Sequence, residues 1–206
     1  MNRKNDLDLI SKKANTDFPI HDLIARRWSA RAISSTKKVE KSKLLSILEA
    51  ARWAPSSRNE QPWRYIVFTD DNSEKMEKAR SVLLEINNYA KRAPILICGI
   101  AKKTYSDNGI YNKLHFHDLG AANENMFLES VNQGLIMHEM GGFNRDKARE
   151  VFNIPDDYEV GIMIAIGYQD SHEILPERYK EKSNSPRERK PLSEIAFLEE
   201  LGNGII

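Results

Sequence analysis

Pro55 and Pro62 frame the stretch Ala54-Pro55-Ser56-Ser57-Arg58-Asn59-Glu60-Gln61-Pro62-Trp63, and no helix or strand can run through both. The residues before it are helical in pattern: Leu44, Leu45, Leu48 and Ala51 recur at three- and four-residue steps, with Ile47 beside them. The residues after it alternate as a strand does, Tyr65, Val67 and Thr69 set against Arg64, Ile66 and Phe68. The sequence therefore predicts a helix over 41–54 stopped by Pro55, and a strand over 61–69 with both faces partly covered. Inside the loop sit two hydroxyls and two amides, and the charges of Arg58 and Glu60 cancel. Such a loop can present hydrogen bonds to a flat polar ring without adding an ion. A plain helix-to-strand connection draws on the same turn formers, so the loop alone decides nothing.

The rest of the pattern fills in an α+β chain: helices on a mixed, mostly antiparallel central sheet. Residues 70–73 read as a turn with a helix N-cap, 74–89 as a helix charged on one side, and 93–101 as an apolar central strand. A polar loop over 105–111 leads to a long helix over 113–133. There Phe116, Leu119, Ala122, Asn123, Met126, Phe127 and Ser130 succeed one another at helical steps, and Gly134 ends the run. A short strand over 135–139, a short helix over 144–152 capped by Asn144, and a long strand over 159–168 complete the series. Residues 170–190 show little periodicity; a structureless run of about twenty residues is unusual in a compact domain, so it should be mobile or laid across something. Residues 1–18 are polar and read as an N-terminal extension, with the folded domain over 19–206 and a short helix over 21–27 leading into a basic segment.

With 206 residues the chain can build one sizeable core. A net charge of +1 gives no bulk reason to expect nucleic acid or an anionic membrane as partner. No stretch approaches the ~20 apolar residues of a membrane span, and the charged first residues lack a signal-peptide core, so the expected compartment is the cytoplasm. The single cysteine, Cys98, lies in the run Ile95-Leu96-Ile97-Cys98-Gly99-Ile100 and reads as a small buried apolar group. His115 and His117 fall two apart in a predicted helix and so point to different faces; with no second cluster at zinc spacing, no metal is expected. His21 reads as a surface or capping group. His138, beside a glycine turn, could line a pocket or serve the structure. There is no G-x-S-x-G, P-loop or Gly-rich dinucleotide fingerprint.

Three features could bind a ligand. Arg27, Ser29 and Arg31 are spaced i, i+2, i+4, and in an extended segment all three point the same way. Two guanidinium forks flanking a hydroxyl suit a phosphate monoester; in a helix Ser29 would turn away, and a solvated basic patch is the plainer reading. Arg187 and Arg189 form a second basic cluster ahead of Pro191, either a surface charge run or another anion grip. Gly141-Gly142-Phe143 ends a strand and precedes a helix, where glycine allows close approach to a ligand or a turn of positive φ.

Taken in order, Arg26-Arg27-Trp28-Ser29-Ala30-Arg31, the 54–63 loop, Met140-Gly141-Gly142-Phe143 and Arg187-Glu188-Arg189-Lys190-Pro191-Leu192 resemble the nitroreductase family of FMN-dependent oxidoreductases, over about residues 22–195. The resemblance implies a nitroreductase-like fold, a homodimer with flavin sites at its interface, and a C-terminal arm over the partner subunit. It implies that Arg27, Ser29 and Arg31 meet the FMN phosphate and ribityl chain, with Trp28, larger than the usual residue there, covering the flavin edge or packing. Arg189, with Arg187 at a second basic position, would return to the same phosphate. The Gly142 N–H would face flavin N5, with Gly141 where some relatives carry a carboxylate. Pro55, Ser56, Ser57 and Asn59 would meet the flavin held mainly by the other subunit, and Asn87 or Asn88 would add a contact. The implied activity passes hydride from NADH or NADPH through flavin N5 to a small-molecule acceptor, a nitroaromatic or a quinone. No side chain is needed as nucleophile, and no catalytic residue is assigned. Relatives that dehalogenate reductively or fragment flavin carry a lid, for which the 104–113 loop is the place to look. A flavin-binding carrier or sensor without turnover is the remaining alternative.

Overall fold

The structure is a computed structural model and describes residues 12–206; the first part of the expected 1–18 extension lies outside the described residues. Its frame is a sheet of β1 (Trp63–Thr69), β2 (Ile95–Lys102), β3 (Ile136–Met140) and β4 (Tyr158–Gly167), ordered β1-β2-β4-β3. The sequence suggested a mixed, mostly antiparallel sheet, and all three pairings between these strands are antiparallel. β2 is buried at every residue except Lys102, as its nearly unbroken apolar sequence requires of an inner strand.

Among the described residues six α-helices surround the sheet: α1 (Asp22–Arg26), α2 (Lys41–Arg52), α3 (Ser73–Ser81), α4 (His115–Asn132), α5 (Arg145–Val151) and α6 (Glu177–Asn184). α2 and α4 cover one face, burying Ile47, Ala51, Ala122 and Met126 against Ile97, Met137 and Ile164. α3, α5 and α6 cover the other, burying Met76, Ala148 and Tyr179 with Leu96, Cys98 and Met163. Each isoleucine or methionine so buried contributes about 1.5–3 kcal/mol relative to exposure. The expected caps are present: Lys75 N donates to Asn72 Oδ1 at 3.0 Å, and Lys147 N to Asn144 Oδ1 at 2.9 Å. None of the described helices is long and apolar enough to cross a membrane.

Two stretches depart from the sequence reading. The helix expected over 74–89 breaks after Ser81, and a 3₁₀ turn, Glu85–Arg92, replaces its second half. Between them the backbone turns outward to pair: Asn144 N donates to Val82 O at 2.9 Å, Leu84 N to Gly142 O at 3.3 Å, and Leu83 bridges Phe143. A continuous helix would consume those groups internally. The 170–190 stretch is likewise not structureless. It holds a 3₁₀ turn, His172–Ile174, and α6, whose Tyr179 packs edge-on against Tyr89 with centroids 5.2 Å apart. Its charged composition hides a helix anchored by one aromatic residue.

Gly167 closes β4 where Ile33 and Pro94 press on it. A β-carbon there would lie 2.6 Å from Ile33 Cγ2 and 3.0 Å from Pro94 Cδ. Gly167→Ala is expected to destabilise the fold by about 1–3 kcal/mol through overpacking, read as a lower urea midpoint with the slope unchanged.

Candidate cofactor site

α1 stops at Arg26. Arg27 already has extended angles, φ −60° and ψ 122°, and residues 27–31 continue without regular structure. The segment is stitched to the end of β4: Ile33 bridges Gln169, and Ser34 N donates to Tyr168 O at 2.9 Å. The Arg27 side chain is only 17% exposed, 3.9 Å from Glu124 Oε1 and with its guanidinium 4.8 Å from the Phe127 ring centre. Trp28 packs half-buried on the core, with Lys12 Nζ 5.3 Å from its ring centre.

Arg187 arrives from the far end of the chain. Its guanidinium donates to Ala25 O at 2.9 Å, 162 positions away in sequence, and to Lys12 O at 2.6 Å. Arg27, Arg187 and Arg189 then line one cleft of about 610 Å³, together with Ile24, Leu192 and Asp17. Burial, then the charges of Arg27 and Arg189, lower the pKa of Arg187 from its ordinary value. Lys12 is lowered in the same way by burial, Arg31 and Arg187. Of the first basic cluster Arg27 thus meets the second in the cleft, while Ser29 and Arg31 do not line it and Arg31 lies over the Tyr89 ring at 5.7 Å. An anion entering the cleft would relieve mutual repulsion as well as gain charge-assisted hydrogen bonds.

At the end of β3 the chain turns through Gly141 and Gly142. Neither has positive φ, so left-handed backbone is not why glycine stands there. Close approach is: a β-carbon on Gly142 would lie 2.9 Å from Asn87 Nδ2 and 3.1 Å from Ile86 Cγ2. The Gly142 carbonyl accepts from Leu84 N at 3.3 Å and from Asn87 Nδ2 at 2.8 Å. Among the described residues its N–H donates to no protein acceptor. Of the two candidate asparagines, Asn87 is buried against this turn and Asn88 is exposed. The charge beside the turn is positive: Arg145 Nη1 donates at 3.4 Å to Gly141 O and Nη2 at 3.3 Å to Gly161 O.

The 54–63 loop is strained. Arg58, Asn59 and Gln61 have φ of 55°, 56° and 51°. Its shape is held from outside. Ser57 N donates to Asp118 Oδ2 at 3.1 Å, Ser57 Oγ and Tyr105 OH share a bond of 3.1 Å, and Ser106 N donates to Glu60 Oε1 at 3.0 Å. Gln61 N donates to Ser56 Oγ at 3.0 Å inside the loop, while Pro55 and Asn59 remain exposed. Among the described residues none of its hydrogen bonds reaches the basic cleft or Gly142.

His115 Nε2 lies 2.9 Å from Glu159 Oε2, and the exposed His117 lies beside Asp118. Among the described residues no cluster of three or more His, Cys, Asp or Glu could hold a metal. One group escaped the sequence reading. Glu139 borders a second cleft, of about 500 Å³, with Phe116, Leu119, Asn123, Arg145 and Gly161. Burial, then the nearby Glu124, raises its carboxyl pKa, and Oε1 is buried without a partner. A carboxylate in an apolar strand two residues before paired glycines was the available signal.

Residues 24–168 match the family described as "Nitroreductase family". A solved structure described as an oxidoreductase containing FMN is 32% identical, covers 92% of this chain and 96% of its own, and superposes with a TM-score of 0.86. A nitroreductase family protein from Clostridium difficile is 31% identical over 87% of this chain and 97% of its own, with a TM-score of 0.68. Among curated proteins, the oxygen-insensitive NADPH nitroreductase of Helicobacter pylori is 29% identical over 89 residues, 43% of this chain and 42% of that protein.

The left-handed loop carries its own test. Arg58→Val is expected to cost about 1–3 kcal/mol, because a β-branched residue tolerates that conformation poorly, whereas Arg58→Gly should stay within about 1 kcal/mol of the parent. Chemical denaturation of both variants measures the difference.

Proposed function

The chain belongs to the nitroreductase family, and on that premise we propose that it is an FMN-dependent NAD(P)H oxidoreductase, working as a homodimer on electron-poor acceptors. The observation that carries this reading is the meeting of Arg27 with Arg187 and Arg189 in one cleft, which fits the doubly charged phosphate of FMN. Bound FMN would supply the redox chemistry, taking hydride from NADH or NADPH and passing two electrons to a nitroaromatic or a quinone.

The chain's own residues bind and orient. Arg27, Arg31, Arg187 and Arg189 would neutralise the phosphate, and Ser29, between the first two, would serve the ribityl chain. Trp28 keeps its indole packed on the core and so fixes the segment that carries the arginines. The free N–H of Gly142 would face flavin N5, with Gly141 and the Arg145 guanidinium beside it. Arg145 makes that edge electropositive, which favours the electron-rich, reduced ring. Pro55, Ser56, Ser57 and Asn59 present their exposed side to a second copy, whose flavin they would meet. A rigid loop suits that role, because its strain is balanced by Asp118 and Tyr105, not by the ligand. Exposed Ile20, Ile24, Ile195, Leu198 and Leu201 supply apolar surface for the contact between copies, and the stretch after α6 supplies the arm. The 104–113 loop is closed by a Thr104–Tyr111 bridge and tied to the 54–63 loop, which favours a fixed wall over a lid. A cytoplasmic setting accords with a lone, buried thiol.

The purified protein should be yellow and should run at the mass of a dimer. Arg27→Ala should weaken FMN binding by about 1.5–3 kcal/mol, the worth of a partly buried charged bond; fluorescence titration measures it. Ser57→Trp should lower flavin content while leaving the subunit's circular dichroism intact. Under anaerobic stopped flow NADH or NADPH should bleach the flavin, and a bound flavin that stays oxidised with both would rule out the reductase.

A further inference from the structure

A chain of buried polar groups runs between the two ends of this site. His138 Nδ1 donates to Ala30 O at 3.0 Å, inside the 27–31 segment. His138 Nε2 lies 2.9 Å from Tyr89 OH, and Tyr89 OH lies 3.2 Å from Asn87 Oδ1. Asn87 Nδ2 donates to Gly142 O at 2.8 Å. Ala30, His138, Tyr89 and Asn87 are all less than 9% exposed. These contacts, the two at Tyr89 sharing one hydroxyl proton, connect the segment carrying Arg27 and Arg31 to the turn carrying Gly142.

The order of donors and acceptors in this chain is fixed. The Gly142 carbonyl can only accept, so the Asn87 amide must present Nδ2 to it and turn Oδ1 toward Tyr89. The Ala30 carbonyl can only accept, so Nδ1 of His138 holds the ring proton. Burial is the main reason the imidazole stays neutral, its pKa lowered to about 4. Nε2 is then an acceptor for the Tyr89 hydroxyl, whose single proton is shared as a three-centre bond between Nε2 at 2.9 Å and Asn87 Oδ1 at 3.2 Å. Tyr179 braces the other side: its hydroxyl donates to Ile86 O at 2.7 Å and its ring packs on Tyr89. Arg31 lies over the Tyr89 ring at 5.7 Å, so the phosphate-binding segment touches the chain twice.

We infer that Tyr89 and His138 are positioning residues: through Asn87 they set the Gly142 peptide relative to the 27–31 segment, so the anionic tail and the N5 edge of one flavin are located by a single rigid unit. This rests on the FMN reading above. A backbone N–H facing N5 pairs better with the unprotonated N5 of oxidised flavin than with the N5–H of reduced flavin. Displacing it should therefore weaken the oxidised form more.

The test uses the FMN-loaded protein and its Tyr89→Phe, His138→Leu and His138→Gln variants. FMN affinity is read by fluorescence and the two-electron potential by anaerobic spectroelectrochemistry. Tyr89→Phe and His138→Leu should change the ratio of oxidised to reduced flavin affinity by about threefold to tenfold, the worth of one neutral hydrogen bond; tenfold corresponds to a potential about 30 mV higher. His138→Gln, which keeps a polar group on the chain, should recover most of the change. Folded Tyr89→Phe and His138→Leu proteins with the parent's affinity and potential would overturn the inference while leaving the FMN reading intact. If Tyr89→Phe does not fold, the His138 pair decides by the same criterion. A parent that takes up no FMN overturns both.

Discussion

The site depends on the pleat of β3. Along this five-residue edge strand, successive side chains must alternate between the two faces of the sheet. His138 therefore enters the core under α3 and α6, where Tyr89 and Ala30 meet it. Glu139, one residue on, faces α4 and the second cleft. Met137 and Met140 seal the two faces around them. The strand then ends in paired glycines, so that one short element gives a buried polar anchor, a carboxyl with one oxygen unpartnered and a bare backbone edge. A one-residue slip against β4 would exchange His138 and Glu139 and dismantle all three. The register with β4, Ile136 opposite Gly167 through Met140 opposite Met163, is thus the constraint on which everything around the turn relies.

Two different forms of pre-organisation are built into that turn and into the 54–63 loop. At Gly142 the space for a β-carbon is filled by the Asn87 amide, so the backbone edge is defined by what presses on it. In the 54–63 loop the backbone itself is held in an uncommon conformation, and its stability comes from Asp118, Tyr105 and Ser106. Both devices would shift the ordering cost away from the moment at which a ligand bound there. They also explain why the loop needs turn-forming residues without using them as a reversible hinge.

Much of the frame was legible in the sequence because local patterns there agree with tertiary demands. Pro55 stops α2, the apolar run 95–100 marks an inner strand, and Asn72 and Asn144 cap the helices they precede. The pairing of Arg27 with Arg187 was legible only through family resemblance, since no local pattern links residues so far apart. The break after Ser81 was not legible: Val82 to Leu84 fit a helix, and only the distant backbone of residues 142–144 makes pairing preferable. α6 was missed because five of its eight residues are charged and only Tyr179 and Ser183 are buried. The relay through His138 could not be read either, since the choice between a pocket wall and a core group depends on which face of β3 meets Tyr89.

The basic cleft has a consequence for the life of the polypeptide. Arg27, Arg187 and Arg189 crowd there, with Lys12 and Arg31 near enough to add to the repulsion, and Ala25 and Lys12 lend their carbonyls to Arg187. A multivalent anion seated there would convert this tension into cohesion, and only for the folded form. Newly made molecules that never acquire their prosthetic group would then remain the easier ones to pull open. Where proteases sample transient openings, the cell would keep the charged-up copies and discard the blanks, with no dedicated inspector required.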